Sequence, residues 1–256
     1  MMKEKVKGQI GSLFKYFGLE IKKIPTKYCF HINAYADQKA LLSAKEVKIV
    51  FDIGASVGGT VGRYYDLFET SQIYCFEPVE DTFKVLCESY KDVGSIKPYR
   101  LAVTDKTGSK RLFLNKASYT NSLLQVAAES GKYVDNNLTQ NLGYLDVETT
   151  ALDEFCKKEC ISEIQILKMD IQGGELMALQ GAVKLLTARR IDLIYTEVLF
   201  AKLYRKQANV YNLCEFLDQY GYVLYGLYNL SYGRNGVLAW GDAIFISPSL
   251  EESLKR

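Results

Sequence analysis

The chain has one histidine and no Cys-x-x-Cys in 256 residues, which leaves it without the ligand set of a zinc site. No Gly-x-Gly-x-x-Gly is present either, so the fingerprint that clears a helix N-terminus for a pyrophosphate is missing. Neither charge sign dominates. Lys+Arg 32 against Asp+Glu 30 gives +2, and the 19 Tyr and 12 Phe are dispersed with no basic stripe among them, which argues against a nucleic-acid partner. No signal peptide and no apolar run long enough to span a bilayer appear. The six cysteines, at 29, 75, 87, 156, 160 and 214, have no metal spacing and read as thiols of a reduced, cytoplasmic protein.

What is present is half of a nucleotide-binding α/β unit. Ile49-Val50-Phe51-Asp52-Ile53 runs into Gly54-Ala55-Ser56-Val57-Gly58, and a second apolar strand, Ile73-Tyr74-Cys75-Phe76, ends on Glu77-Pro78. Glu77 lies nineteen residues after Gly58, the offset at which a carboxylate meets a ribose in such folds. It suits a 2′,3′-diol and would repel a 2′-phosphate. Ala55, Ser56 and Val57 stand where a pyrophosphate would need glycine. A cofactor with a ribose and no phosphate fits best, and S-adenosylmethionine is the common one. The turn residues Asp52, Gly54, Ala55, Ser56 and Gly58, with Glu77, are therefore the candidate cofactor contacts.

Along the chain, residues 1–47 read as an N-terminal helical appendage and 48–250 as one α/β domain. In the first 24 residues Val6, Ile10, Leu13, Phe14, Phe17, Ile21 and Ile24 keep helical spacing, six lysines lie mostly elsewhere, and Pro25 ends the pattern. Such a stripe needs a partner: the domain itself, a second subunit in a homodimer, or the inner face of a membrane. Strands are predicted at 48–53, 72–77, 96–102, 164–170, 191–197, 222–228 and 237–247, with helices near 58–69, 81–91, 174–187 and 210–220. An inserted segment, about 103–160, interrupts the alternation. It carries strands at 110–114 and 146–150 around a polar loop, Tyr119-Thr120-Asn121-Ser122, of the kind that forms a lid or a substrate contact. Seven strands with an antiparallel last pair exceed a dinucleotide Rossmann domain and match a class I methyltransferase sheet, Rossmann-like and mainly parallel, with an antiparallel C-terminal hairpin.

Ligands in such sheets bind beyond the carboxyl ends of the strands. The acids there are Asp52, Glu77, Asp105, Asp170 and Glu197. Methyl transfer to a hydroxyl needs a base for its proton. Asp170 is the first candidate and Glu197 the second. Period two puts Lys168 on the same side as Asp170, either as a structural ion pair or to keep the carboxylate ionised while it accepts a substrate proton. His31, the only imidazole, is chemically suited to proton transfer or substrate contact but lies outside the sheet.

These segments resemble the FkbM family of methyltransferases, named for a macrolide O-methyltransferase. The family pattern Asp-Ile/Val-Gly-Ala-Asn-x-Gly, Phe-Glu-Pro, Ala-Val-Ser-Asp, Leu-Asp and Lys-x-Asp-x-Glu-Gly-x-Glu is met in order. The matching residues are Asp52–Gly58, Phe76–Pro78, Ala102–Asp105, Leu152-Asp153 and Lys168–Glu175. Two positions depart from it: Ser56 replaces Asn, and Gln172 replaces Glu and removes a charge beside Asp170. The resemblance implies that Pro78, Ala102, Val103 and Asp105 complete the cofactor site; no metal-ligating residues are assigned, and whether the reaction uses a divalent metal is left open. Lys168 and Glu175 of the last motif, with Ser122 of the polar loop and His31, are the candidate substrate contacts. It also implies methyl transfer to an oxygen, of a sugar in a bacterial surface polysaccharide or glycolipid, or of a secondary metabolite. Two other readings remain. An NAD-dependent oxidoreductase or sugar epimerase would also put an acid on a ribose, yet no Tyr-x-x-x-Lys lies on a helix placed for hydride chemistry. A methyltransferase-like binding protein without catalysis is favoured by Gln172 alone.

Overall fold

A computed structural model describes residues 33–254. The amphipathic stretch 1–24 and His31 lie outside the described residues. The central apolar runs form the expected strands because they are buried on both faces, as parallel strands between helix layers must be. In β1 (Ile49–Ile53) four of five residues are buried, and all six are in β7 (Ile164–Met169). Alternate residues face opposite layers. Phe51, Tyr74, Phe76, Leu167 and Met169 join one apolar cluster, while Val50, Ile73, Cys75 and Ile166 join the other.

The main sheet comprises β1, β2 (Gln72–Phe76), β3 (Ile96–Tyr99), β7, β8 (Ile191–Leu199), β9 (Val223–Tyr232) and β10 (Leu238–Ile246). Their spatial order is β3-β2-β1-β7-β8-β10-β9. All pairs are parallel except β8–β10 and β10–β9. This is the class I methyltransferase arrangement, as the strand count predicts. Helices α2 (Gly59–Leu67) and α3 (Glu80–Ser89) contribute Val61, Tyr64 and Leu86 to one layer. On the other layer, α4 (Leu152–Lys158), α5 (Glu175–Gln180), α6 (Val183–Thr187) and α7 (Val210–Asp218) supply Phe155, Leu179, Leu186 and Leu213. A final helix, α8 (Pro248–Ser253), follows β10, its Ser247 cap accepting from Leu250 N–H.

Three features differ from the sequence reading. The predicted strand 96–102 stops at Tyr99. Ala102–Val103 forms β4 in a separate three-stranded sheet with β5 (Gly108–Asn115) and β6 (Asn141–Thr150), in the order β4-β6-β5. The short β3 contains Pro98 and takes the sheet edge, where a residue without an N–H is tolerated. The predicted helix 174–187 breaks in two at Gly181-Ala182, because the Asp153 carboxylate caps α6 by accepting Lys184 N–H at 2.8 Å and Leu185 N–H at 3.0 Å. Finally, α1 (Ala34–Leu41) precedes the boundary read at residue 48, yet Ala34, Leu41 and Leu42 pack in the apolar layer with Val61 and Ile244, so the compact unit begins at Asn33.

Candidate active site

The turn after β1 is shaped by the protein that surrounds it. Gly54 and Ala55 N–H both donate to Phe76 O at 3.0 Å, and Asp170 N–H donates to Ile53 O at 3.0 Å, which ties the ends of β1, β2 and β7 together. Gly54 has φ +79, and a Cβ there would stand 2.0 Å from Asp170 O. Gly58, at φ +93, begins α2, and a Cβ there would meet the Tyr90 ring at 2.5 Å. The glycines thus make room for a carbonyl and a ring of the same chain, where the sequence suggested room for a ligand.

Beneath this turn lies a buried ion pair. Asp52 and Lys168 stand opposite each other in the β1–β7 register, and Lys168 Nζ is 2.8 Å from Asp52 Oδ1 and 3.3 Å from Gly54 O. Burial pushes the Asp52 carboxyl above its ordinary value although Lys168 pulls it down. Burial works against the Lys168 ammonium, but the charges of Asp52 and Asp170 outweigh it and hold the ammonium above its usual range. The expected partnership of Lys168 with Asp170 is therefore corrected. Both side chains do lie toward one side, but the ammonium is committed to Asp52 and the Gly54 carbonyl, and is not free to hold a substrate.

A cleft opens at the carboxyl ends of β1, β2 and β4. Gly54, Ser56, Glu77, Pro78, Ala102, Val103, Ser122 and Asp170 line it, together with Thr82 and an apolar wall of Leu101, Leu112 and Leu123. Tyr119, 65% exposed, stands at its edge on the 3₁₀ turn Ser118–Thr120. The Glu77 carboxylate is organised by its own loop. Oε2 accepts Ser56 N–H at 3.0 Å, while Oε1 accepts Val79 N–H at 2.9 Å and faces the Thr82 hydroxyl at 2.8 Å. Thr82 Oγ1 also lies 3.0 Å from Val79 O, and its single proton serves only one of the two. With that proton on Val79 O, each carboxylate oxygen keeps one acceptor direction open, as a ribose diol requires. A carboxylate beside an apolar slot and a helix-opening turn fits a nucleoside cofactor without phosphates.

A second, polar pocket adjoins the cleft. It is walled by Tyr35, Arg63, Tyr195, Glu197, Asn229 and Asp242, with Asp170 at the boundary between the two spaces. Asp242 Oδ2 accepts from Tyr195 OH at 2.7 Å and Asn229 Nδ2 at 2.6 Å. Gln172, at φ +55, donates from Nε2 to Asp170 Oδ1 at 2.9 Å and to Glu197 Oε2 at 3.1 Å, and its Oε1 accepts from Tyr204 OH at 2.7 Å. Burial, reinforced by the charges of Asp170, Glu175 and Asp242, raises the Glu197 carboxyl well above the carboxylate range.

Several sequence candidates are brought to the site and others are not. Asp170 and Glu197 meet through Gln172. Asp105 does not line the cleft and pairs with Lys110, whose hydrogen bond holds its carboxyl below the ordinary range. Ala55 is buried in the apolar layer, and Asp52 lies under the turn with no exposed atom, so neither lines the cleft. Ser122 lines it, but its hydroxyl donates to Gln172 O at 2.7 Å and accepts Leu124 N–H at 2.9 Å, which leaves it little for a substrate. Glu175 is buried and accepts Ile171 N–H at 2.9 Å, and burial pushes its carboxyl up to about 7. The reading missed Thr82, Tyr204, Asp242, Tyr195, Asn229 and Arg63. Of these only Asp242 carried a sequence signal, a lone acid in an otherwise apolar strand. Among the described residues no group of three or more His, Cys, Asp or Glu is arranged to hold a metal ion, no helix is long and apolar enough to cross a membrane, and Cys75, Cys87, Cys156, Cys160 and Cys214 are free.

Comparison with known proteins agrees with this geometry. The methyltransferase FkbM domain matches residues 52–224. A curated relative, "2-O-methyltransferase NoeI" of Sinorhizobium fredii (strain NBRC 101917 / NGR234), is 25% identical over 185 residues, covering 70% of this chain and 74% of that protein. Among solved structures, an rRNA methylase from Streptococcus thermophilus overlays with TM-score 0.45 at 12% identity, covering 83% of this chain and 94% of the other. The Burkholderia thailandensis 1,6-didemethyltoxoflavin-N1-methyltransferase with S-adenosylhomocysteine gives 0.45 at 11%, covering 84% and 76%. Overlaps this partial decide nothing about substrate, and the fold rests on the strand order. The chain belongs to the FkbM methyltransferase family.

Proposed function

We propose that the protein is an O-methyltransferase acting on a hydroxyl of a sugar, with Asp170 as the proton acceptor and Glu197 as its partner. The observation that carries this reading is the position of Asp170 on both the cofactor cleft and the polar pocket. A group that takes a proton from an acceptor must stand where the two substrates meet.

Glu77, Gly54, Ser56, Pro78, Ala102 and Val103 would hold the cofactor in the cleft, with the apolar wall against its base. When bound, S-adenosylmethionine supplies a methyl group on a sulfonium, which departs as a neutral thioether. The chain's own task is to align the acceptor oxygen and receive its proton. Asp170 Oδ1 is held by Gln172, and Oδ2 has no hydrogen-bond partner among the described residues, so Oδ2 is the atom that takes the proton. Carboxylate, amide, guanidinium and phenol groups around the polar pocket suit a polyhydroxyl ring, and the name of the curated relative specifies transfer to oxygen. These features favour a glycan or glycolipid sugar over an apolar secondary metabolite.

The test is methyl transfer from labelled S-adenosylmethionine to a panel of sugar nucleotides, oligosaccharides and glycolipids, with calorimetry against S-adenosylhomocysteine and NAD. Asp170→Asn keeps the shape and removes the proton acceptor. It should fold and bind S-adenosylhomocysteine as wild type does, and lose about 10²–10⁴-fold in transfer. A product methylated on nitrogen or carbon, or near-normal transfer by Asp170→Asn, would overturn the assignment. Loss of transfer on chelation, restored by magnesium, would make Asp170 a metal ligand instead.

A further inference from the structure

We infer that Gln172 is a positioning residue that binds Asp170 and Glu197 into one hydrogen-bonded unit at the edge of the acceptor pocket, its own amide being oriented by Tyr204. The inference rests on the reading of Asp170 as proton acceptor and adds a residue that acts through it.

The two carboxylates come from neighbouring strand ends, since Met169 of β7 pairs with Thr196 of β8. Two carboxylates at such ends repel whenever both are ionised. One amide nitrogen with two hydrogens answers this, giving one hydrogen to Asp170 Oδ1 and the other to Glu197 Oε2. Turning the amide over would set Oε1 against Asp170 Oδ1 and give up that hydrogen bond. In the observed sense, Tyr204 OH donates to Oε1 at 2.7 Å, and its phenol oxygen also lies 3.3 Å from Thr120 O. The backbone is gripped as well. Ser122 Oγ donates to Gln172 O, and the left-handed conformation of Gln172 is followed by Gly173 at φ +91. A non-glycine residue in that region is held only where its surroundings over-determine it. Contacts from the 118–122 turn and the loop after β8 therefore converge on this one residue, the first on its backbone and the second on its side chain.

The family pattern carries Glu where this chain has Gln172. An ionised Glu has no hydrogen to give, and it would set a further negative charge beside Asp170. Several charged and titratable groups face the pair. Glu175 approaches from α5, Asp242 from β10, Tyr195 from β8, Tyr204 from the following loop, Tyr35 from α1 and Arg63 from α2. Lys168 of β7 is already engaged by Asp52. Burial and the neighbouring carboxylates push the Glu197 proton affinity up, and the hydrogen bond from Gln172 opposes them. Removing that bond should let the rise go further.

The test is a ¹³C carboxyl NMR titration of the full chain with S-adenosylhomocysteine, with signals assigned through Asp170→Asn and Glu197→Gln. In Gln172→Leu the proton affinity of Glu197 should rise about tenfold or more. Tyr204→Phe should shift it the same way by less, because the amide is retained but freed. Gln172→Glu should add a third coupled step and move the group upward. A Gln172→Leu protein titrating as wild type would overturn the inference. Should that variant not fold, Gln172→Met and Tyr204→Phe decide the matter by the same readout. If Asp170→Asn abolishes transfer while Gln172→Leu titrates unchanged, the positioning role falls and the proposed function stands. If Asp170→Asn transfers normally while Gln172→Leu shifts Glu197, the proposed function falls, and the hydrogen-bonded unit remains without a catalytic task.

Discussion

Lys168→Met would remove the only cation among the described residues that pairs with Asp52 beneath the active-site turn. The Asp52 side chain is 0% accessible and that of Lys168 8%, so water cannot take over the pairing. Breaking a buried pair by deleting one partner costs about 3–5 kcal/mol, because the remaining charge is left in a poorly polarisable interior. At about 2–4 °C per kcal/mol for a domain of this size, the melting temperature should fall by about 6–20 °C. The same change should loosen β1 against β7 where Gly54 and Asp170 meet, and so weaken binding at the cleft.

The loss should depend on pH with a definite sign. Burial already raises the folded-state Asp52 carboxyl above its ordinary value, and deleting Lys168 removes the influence that lowers it. From about pH 4 up to the variant's folded value, the native state keeps a proton that the unfolded chain has released. Stability then falls as pH rises through that window. The gap to wild type should be smallest near pH 4, widen toward neutrality and level off. Lys168 itself has a raised folded-state value, so its contribution is lost only in strongly alkaline solution and leaves the window clear. Urea unfolding followed by circular dichroism between pH 4.5 and 9 reads this directly. A loss below about 1 kcal/mol at pH 7.5, or a gap that stays constant with pH, would refute the reasoning. The Asp52→Asn/Lys168→Met double variant should be more stable at neutral pH than Lys168→Met alone.

Glu77→Gln should weaken S-adenosylhomocysteine binding tenfold or more by calorimetry, since charge-assisted hydrogen bonds contribute about 1.5–3 kcal/mol and an amide cannot accept on both atoms as the carboxylate does. Gly54→Ala should lose more than about 3 kcal/mol or fail to fold, judged by soluble yield and thermal melting, because its Cβ would press on the Asp170 carbonyl at a left-handed φ. Phe155→Ala should cost about 3–5 kcal/mol in denaturant unfolding, since its ring packs edge-on against Phe76 and Tyr99 at 4.8 Å between centroids.

What was legible in the sequence was whatever a single segment determines. Ile49–Ile53, Gln72–Phe76 and Ile164–Met169 are apolar runs stopped by a glycine or an acid, and each became a strand within a residue or so of its predicted bounds. The break after Tyr99 was hidden because Leu101-Ala102-Val103 continues an apolar run, and only pairing with Thr149 and Thr150 of β6 draws it into another sheet. The partner of Lys168 was hidden for a similar reason. Period two puts Lys168 and Asp170 on one side, but the choice of Asp52 follows from the register of β1 against β7.

The same distinction separates reaction from acceptor. Of the motif residues, Asp52, Gly58, Asp153, Lys168 and Glu175 serve the frame: an ion pair, a ring contact, a helix cap and a buried carboxylate. Their pattern therefore marks the family and the fold. The side chains around the polar pocket come from α1, α2, β8, β9 and β10, mostly outside any motif, and no short spacing links Arg63 to Asn229 or Asp242. Residues that build a common scaffold are constrained together, whereas those that meet an acceptor need only agree with that acceptor. A motif resemblance can thus specify methyl transfer while leaving the acceptor unspecified. Substitutions at Arg63, Asn229 and Asp242 should accordingly change which acceptor is used before they change cofactor affinity, and transfer assays paired with S-adenosylhomocysteine calorimetry would separate the two.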